Sequence, residues 1–458
     1  MPKSYFFNEE DLHLYDLPQI FAASATWYES GMKDDIATFD LYVRDMPPHR
    51  NFLMFGGLDE IIQGIQNWKY TKEDISYLGK TGLITPGFAK YLRSFKFTGD
   101  IKAMHEGSIF FNNEPVIRIT APIIQANLLT MFLMNAFTGN TKFMSKLVRS
   151  VITAKPYQCA GVAGLRASSF EYAMKGLRLS YILGSVTGGI IPGFARKFNL
   201  PLSSAVTNVY HAVIKSFPTE IEAMRKMGEL FGGFISLTVD TYDFLQGLKN
   251  AIIVMNELKE KGKKVAGIFI DSGDLVERSK IAREMLDDAG FLDATITVAT
   301  NLDEYKIKKL KEEGIKADIF IIATEITSTS DSPKLETVYK LTEIDKSGKI
   351  LYCAKFSPGK ESYPGKKQVF RIKEEGKFKR DIVGLDDENL GEKQLVDIFK
   401  NGKLVYQRKS LDDVKNYVVE QITQIPQDLL SIDRDIKYEV LLSDKLKELF
   451  EDVRKGHG

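Results

Sequence analysis

Short apolar runs alternate with amphipathic stretches through the middle of the chain. Residues 234–239, 265–270, 294–298 and 319–322 are compact runs rich in β-branched and aromatic side chains. Runs of four to six continuous apolar residues suit strands covered on both faces, as in a parallel sheet. Between them the period changes. Leu245, Leu248, Ile252, Met255 and Leu258 recur at three and four, as do Ile281, Met285 and Ala289, and Gly290 follows where a helix C-cap glycine belongs. Thr219 and Glu222 have the spacing of a capping box before Met224 and Met227. The run ends Asp240, Asp271, Thr300 and Thr324 fall 31, 29 and 24 positions apart, the repeat of consecutive βα units. Such units form a (β/α) barrel or an open doubly wound sheet. In both, the site sits at the C-terminal ends of the strands. That rule selects Asp240, Asp271-Ser-Gly-Asp274 and Thr324-Glu325.

On either side the pattern shifts to alternating strands at 35–45, 94–120, 337–344 and 350–373, with a turn at Lys346-Ser-Gly348. Residues 122–152 read as a long apolar helix carrying Lys142, Lys146 and Arg149 toward its end. The Lys/Glu-rich stretch 374–415 reads as surface additions, with helices expected at 410–422 and near 443–453. The division this suggests is an N-terminal mixed α/β domain over 1–150, a (β/α) barrel domain over 151–335, and a 336–458 segment that completes the first domain and ends in a helical tail.

Composition narrows the function classes. The 458 residues hold 62 Lys+Arg against 61 Asp+Glu, so a formal charge of +1 offers no field for gathering nucleic acid or anionic membrane. Cys159 and Cys353 are too few for a disulfide scaffold or a cysteine-rich zinc site. The opening residues turn acidic at once, unlike a secretory leader, and no apolar run reaches the ~20 residues of a membrane span. The expectation is a cytoplasmic enzyme or binding protein acting on small molecules.

Several residues have the chemistry for a site. Asp240-Thr-Tyr-Asp243 and Asp271-Ser-Gly-Asp274 each put two carboxylates within a turn of a strand end. These acids suit Mg²⁺, ribose hydroxyls or a base to be oriented, or they cap the following helices. His211, between the strand-like run 202–206 and the helix at Thr219, is a nucleophile, a proton carrier or a hydrogen-bonded structural histidine. No histidine pair has metal-ligand spacing. Glycines at 161, 164, 184, 188 and 189 match neither a P-loop nor a dinucleotide fingerprint. Arg166 and Arg178 suit phosphate or carboxylate clamps, or salt bridges. The basic run 364–371 either reaches an anion from a loop or forms a solvated turn. Tyr15 either stacks on a planar base or packs in a core with Leu12 and Phe21.

Taken together, Leu14-Tyr15, Phe39-Asp-Leu-Tyr42, Val239-Asp-Thr-Tyr-Asp243 with Gly247 and Lys249-Asn-Ala-Ile252, Ile270-Asp-Ser-Gly-Asp-Leu275, Leu302-Asp-Glu-Tyr305, Tyr339-Lys-Leu341 and Pro364-Gly-Lys-Lys-Gln-Val369 resemble nicotinate phosphoribosyltransferases, in the same order. The likeness covers most of residues 10 to 372. It implies a type II phosphoribosyltransferase fold: an irregular (β/α) barrel with a second mixed α/β domain, assembled as a homodimer. It also implies a reaction of NAD salvage, in which nicotinate, phosphoribosyl pyrophosphate and ATP give nicotinate mononucleotide, pyrophosphate, ADP and phosphate, with Mg²⁺ as cofactor. By the same resemblance Tyr15 stacks on the pyridine ring and His211 is phosphorylated by ATP. Arg166 belongs to an arginine pair, Thr324 to a phosphate-binding turn, and Asp240, Asp271 and Ser272 to polar strand ends. The chain departs from the pattern at four places: Phe269 and Leu165 stand where arginines are expected, Ala323 where a glycine is, and Asn208 at a substrate-contacting threonine. An absent bidentate arginine deprives a substrate carboxylate of about 1.5–3 kcal/mol. Two further readings therefore accompany the first: a phosphoribosyltransferase for another base, with Phe269 as an apolar wall, or a catalytically silent relative that binds a nucleotide or partner.

Overall fold

The computed structural model describes residues 9–161, 166–185, 191–200, 202 and 208–456, with side chains from residue 12 onward. The chain forms two compact units, one of Met1–Lys142 with Lys334–Gly458, the other of Phe143–Pro333.

The second unit is built on five parallel strands in the order Gln158–Gly161, Ile319–Ile322, Thr295–Val298, Gly267–Ile270 and Ser236–Thr238. Each is only three or four residues long, and those at 236–238, 267–270 and 295–298 are shorter than their apolar runs. Asn208 extends the order by a parallel bridge to Ser236. The helices Phe244–Glu260, Leu275–Asp288 and Glu304–Glu312 follow the strands in sequence, so the βα period is realised as a (β/α) arrangement. Their inward residues, among them Leu248, Ala251, Met255, Leu258, Ala282, Leu286 and Ile307, are buried. One local expectation fails: Thr219 occupies the N-cap of Glu220–Phe231 but makes no side-chain capping bond, and no capping box forms there. The strand-like run 202–206 lies almost wholly outside the described residues.

The first unit carries a seven-stranded antiparallel sheet in the order Lys349–Tyr352, Thr337–Lys346, Ile36–Val43, Ile117–Pro122, Asp100–Ala103, Val396–Lys400, Lys403–Leu404. A four-stranded sheet orders Glu392–Lys393, Lys367–Glu374, Lys377–Leu385 and Val440–Leu442. The stretch 374–415 is therefore not a surface addition. Phe378, Val383, Leu395, Ile398 and Phe399 bury one face of its strands while lysines and glutamates line the other. The apolar stretch 122–152 forms two helices, Ile123–Asn127 and Thr130–Ala154. The tail helices run Leu411–Gln424 and Asp444–Lys455.

The basic run 364–371 enters strand Lys367–Glu374 from a loop in which Lys366 is part-exposed and paired with Glu343 at 3.2 Å, but its two strand cations are buried. Lys367 Nζ is buried 2.8 Å from Asp40 and donates to the Tyr363 and Gly365 carbonyls. Arg371 is 2% exposed and pairs through Nε with Asp381 Oδ1 at 3.0 Å. Beside it, burial and then the Asp381 charge hold the Glu114 carboxyl well above the usual range, with Arg371 opposing. Burial and the neighbouring Asp381 thus both disfavour the charged form of Glu114. A carboxyl with a raised folded pKa contributes stability that is complete below its unfolded value, about 4.3, and lost as pH rises toward the folded one. Thermal melts between pH 5 and 8 are expected to show that loss in the wild type and a smaller slope in Glu114→Gln. Equal slopes would show that Glu114 carries no such linkage.

Candidate active site

The strand ends of the 143–333 unit gather most of the residues selected from the sequence. Register explains how. Thr238, Phe269 and Thr297 are in-register neighbours on adjacent parallel strands. Alternation places Asp240 and Asp271 two residues further along on the same face. Helix Phe244–Glu260 comes close to this end because position 247 is glycine: a Cβ there would lie 2.2 Å from the Val239 carbonyl oxygen.

The two acid pairs divide their labour. Asp243 caps its helix by accepting from the Gln246 N–H at 2.8 Å, and Asp274 accepts from Val276 and Glu277. Asp240 and Asp271 do not cap. The Asp240 side chain is 1% exposed, and its Oδ2 accepts from the Asp271 N–H at 2.8 Å and the Ser272 hydroxyl at 2.7 Å. Its Oδ1 is buried and has no hydrogen-bond partner among the described residues. Ser272 thus serves here as a link between strand ends.

His211 begins the helix His211–Ser216. Its Nδ1 lies 2.9 Å from the Thr241 hydroxyl and its Nε2 3.9 Å from Asp271 Oδ2. Partial burial, then the Asp240 charge, raise the Asp271 pKa, while His211 and Arg166 pull it down. Arg166 is itself exposed. The strand ends therefore bring together one buried carboxylate, one carboxyl of raised pKa, one imidazole and two guanidiniums, those of Arg166 and Arg278. On its margin, burial and the charges of Asp240 and Asp243 raise the Glu220 carboxyl, which accepts from Asn250 at 3.0 Å.

Asn208 bridges to Ser236 at the same sheet, three residues before His211. Thr324 opens the five-residue helix Thr324–Ser328 after its strand, and is half-buried. Tyr15 belongs to the other unit, where its ring is 53% exposed, so the core-packing reading fails. Leu165 and the glycines at 164, 188 and 189 lie outside the described residues. Phe269 is 6% exposed and sits between Thr238 and Thr297, whose buried hydroxyls have no partner among the described residues.

Two participants escaped the sequence reading. Thr241 was in view inside Asp240-Thr-Tyr-Asp243, but its partner His211 is 30 positions away. Arg278 donates through Nη1 to the Ser272 carbonyl at 2.9 Å and hydroxyl at 3.1 Å, and lies 3.9 Å from Asp240 Oδ2. Its only signal was a cation near the start of a helix, where an anion is favoured.

Comparison with known proteins gives the family and the fold. Residues 14–138 match the nicotinate phosphoribosyltransferase (NAPRTase) N-terminal domain, and residues 391–450 the C-terminal domain. The chain is 33% identical over 435 residues to nicotinate phosphoribosyltransferase pncB2 of Mycobacterium tuberculosis, covering 94% of this chain and 91% of that protein. It is 32% identical to the nicotinate phosphoribosyltransferase of Bacillus subtilis, over 96% and 94% of the two chains. Among solved structures, human nicotinic acid phosphoribosyltransferase superposes with a TM-score of 0.83 at 19% identity, over 95% of this chain and 99% of that one. The fold is therefore of the type II phosphoribosyltransferase class.

Proposed function

Because the chain belongs to the nicotinate phosphoribosyltransferase family, we propose that it joins nicotinate to the phosphoribosyl group of phosphoribosyl pyrophosphate, with ATP hydrolysis coupled to the step. The pyridine nitrogen forms a bond to the anomeric carbon as the bond from that carbon to the pyrophosphate oxygen breaks. The observation that carries the reading is the convergence of His211, Asp240 and Asp271 at the strand ends. The transition state separates an oxocarbenium-like ribose from a pyrophosphate anion, so fixed charges around it are the main source of rate. Asp240 Oδ1, buried and unspent, suits a ribose hydroxyl or a cation; Arg166 suits a phosphate.

His211 has the geometry for the ATP step. With the Nδ1 proton donated to Thr241, the lone pair falls on Nε2, the nitrogen nearer Asp271. Nε2 attacks the γ-phosphorus of ATP, the bond to the β-phosphate oxygen breaks, and ADP leaves. Water later cleaves the N–P bond to release phosphate. The donor set also fits Mg²⁺. Among the described residues no three acids, histidines or cysteines form a cage, but Mg²⁺ is ordinarily held by one or two carboxylates plus substrate phosphates. Asp240 and Asp271 would supply those, and the bound ion would neutralise charge on the pyrophosphate. We assign Tyr15 to ring stacking, Thr324 to the phosphates and Asn208 to substrate contact, in a cytoplasmic homodimer. No described helix is long and apolar enough to cross a membrane.

Phe269 supports a second reading. Its apolar ring on the site face, between two hydroxyls with no partner among the described residues, favours a base without a carboxylate.

The test is product formation from labelled nicotinate, phosphoribosyl pyrophosphate and Mg²⁺, with and without ATP, using nicotinamide in parallel. Nicotinate mononucleotide is expected, with ATP stimulation lost in His211→Ala. Conversion of nicotinamide alone would move the assignment to the second reading. Conversion of neither by folded protein that binds phosphoribosyl pyrophosphate would leave a silent binding relative.

A further inference from the structure

We propose that Arg278 is a positioning residue for the phosphoribosyl transfer, locking the Asp240–Ser272–Asp271 link from outside; this rests on the reading above. Its guanidinium does not run along its own helix. It turns back past the N-terminus of Leu275–Asp288 and lies against the loop from Asp271 to Asp274. A cation there meets the positive end of the helix dipole and so is electrostatically misplaced. A local rule broken without visible gain to the fold marks a place shaped by function.

The contacts say what the gain is. Nη1 donates to both oxygens of Ser272, and the Ser272 hydroxyl in turn donates to Asp240 Oδ2, 3.9 Å from the same Nη1. Arg278 thereby fixes the rotor of Ser272 with its proton toward Asp240, and its charge stabilises the carboxylate that receives it. Asp240 then holds the Asp271 backbone N–H, which sets where the Asp271 carboxyl stands relative to His211. The guanidinium is braced on its other side by the Phe244 ring, 5.0 Å from the ring centre. The loop leaves room for it: Gly273 has φ +74°, and a Cβ there would fall 2.3 Å from the guanidinium carbon. Arginine suits this place better than lysine, because a planar guanidinium can give both Nη1 bonds and lie against a ring at once.

Arg278→Leu and Arg278→Lys test the assignment against wild type. In Arg278→Leu, hydrogen exchange of the Asp271 amide is expected to accelerate about tenfold or more, with Tm changed by only a few degrees. For nicotinate mononucleotide formation, kcat is expected to fall about 100-fold with KM within about threefold, because the lost element is geometry and not binding. Arg278→Lys is expected to recover part of both effects, and added guanidinium ion part of kcat in Arg278→Leu. Unchanged Asp271 exchange overturns the proposal whatever the activity. Faster exchange with unchanged kcat in an active wild type overturns it too. Should the wild type itself form no mononucleotide, the reaction reading falls while the exchange arm still decides whether Arg278 holds the loop.

Discussion

Asp240→Asn is expected to lower kcat/KM for mononucleotide formation by about 100- to 1000-fold while leaving the fold intact. The amide oxygen of asparagine can still accept from the Asp271 N–H and the Ser272 hydroxyl, the two bonds that Oδ2 makes now. Two things change. The negative charge that the proposed reaction sets beside the ribose is gone, and the buried acceptor Oδ1 becomes an NH₂ donor, the wrong polarity for a hydroxyl or a cation. The substitution also removes one of the two causes that raise the Asp271 pKa, leaving burial alone. The acid limb of the pH–rate profile, where it reports Asp271, should therefore move to lower pH in the variant. Steady-state kinetics from pH 4 to 8 check both. A loss below about fivefold would show that the Asp240 charge plays no part in the transition state.

The largest stability loss is expected in the other unit, at Arg371→Leu: about 3–5 kcal/mol by urea unfolding. Arg371 and Asp381 are both essentially inaccessible, and burial with the Asp381 charge disfavours ionisation of Glu114 beside them. Leucine leaves Asp381 buried without its guanidinium partner, with the Tyr438 hydroxyl at 3.1 Å and the Glu114 carboxyl left beside it. It also strips the Ile109 carbonyl of its Nη2 donor and the Phe378 ring of a cation 4.2 Å from its centre. A cost under about 1 kcal/mol would mean that the fold relaxes to admit water to Asp381.

The parallel strands were legible because both faces of each are covered, which writes them as unbroken apolar runs at 265–270 and 319–322. The strands of 374–415 were not. They alternate buried Phe378 and Val383 with charged neighbours, and counting charge alone mistakes such a strand for a solvated loop. At the site, sequence could place four aspartates at strand ends but could not tell Asp240 and Asp271 from Asp243 and Asp274. A capping aspartate and one that ties neighbouring strand ends together have the same chemistry and nearly the same position. What separates them is the partner, three residues away for Asp243 and 31 for Asp240. The His211–Thr241 and Arg278–Asp240 contacts are hidden for the same reason. The Thr219 box failed because spacing permits that motif without compelling it.

The antiparallel sheet sets an order of events on the ribosome. Strand Asp100–Ala103 finds one neighbour almost at once in Ile117–Pro122, but the other, Val396–Lys400, emerges roughly 290 residues later. At roughly 5–20 residues per second that is a wait of about 15–60 s. For most of it the early strands have two bare edges, because Ile36–Val43 also waits for Thr337–Lys346, while the whole 143–333 unit is made and can complete itself on the way. The edge strand opens and centres on charge, as Asp100-Ile-Lys-Ala103, and an aspartate and a lysine in so short a strand discourage a neighbouring chain from adding to it before the native partner arrives.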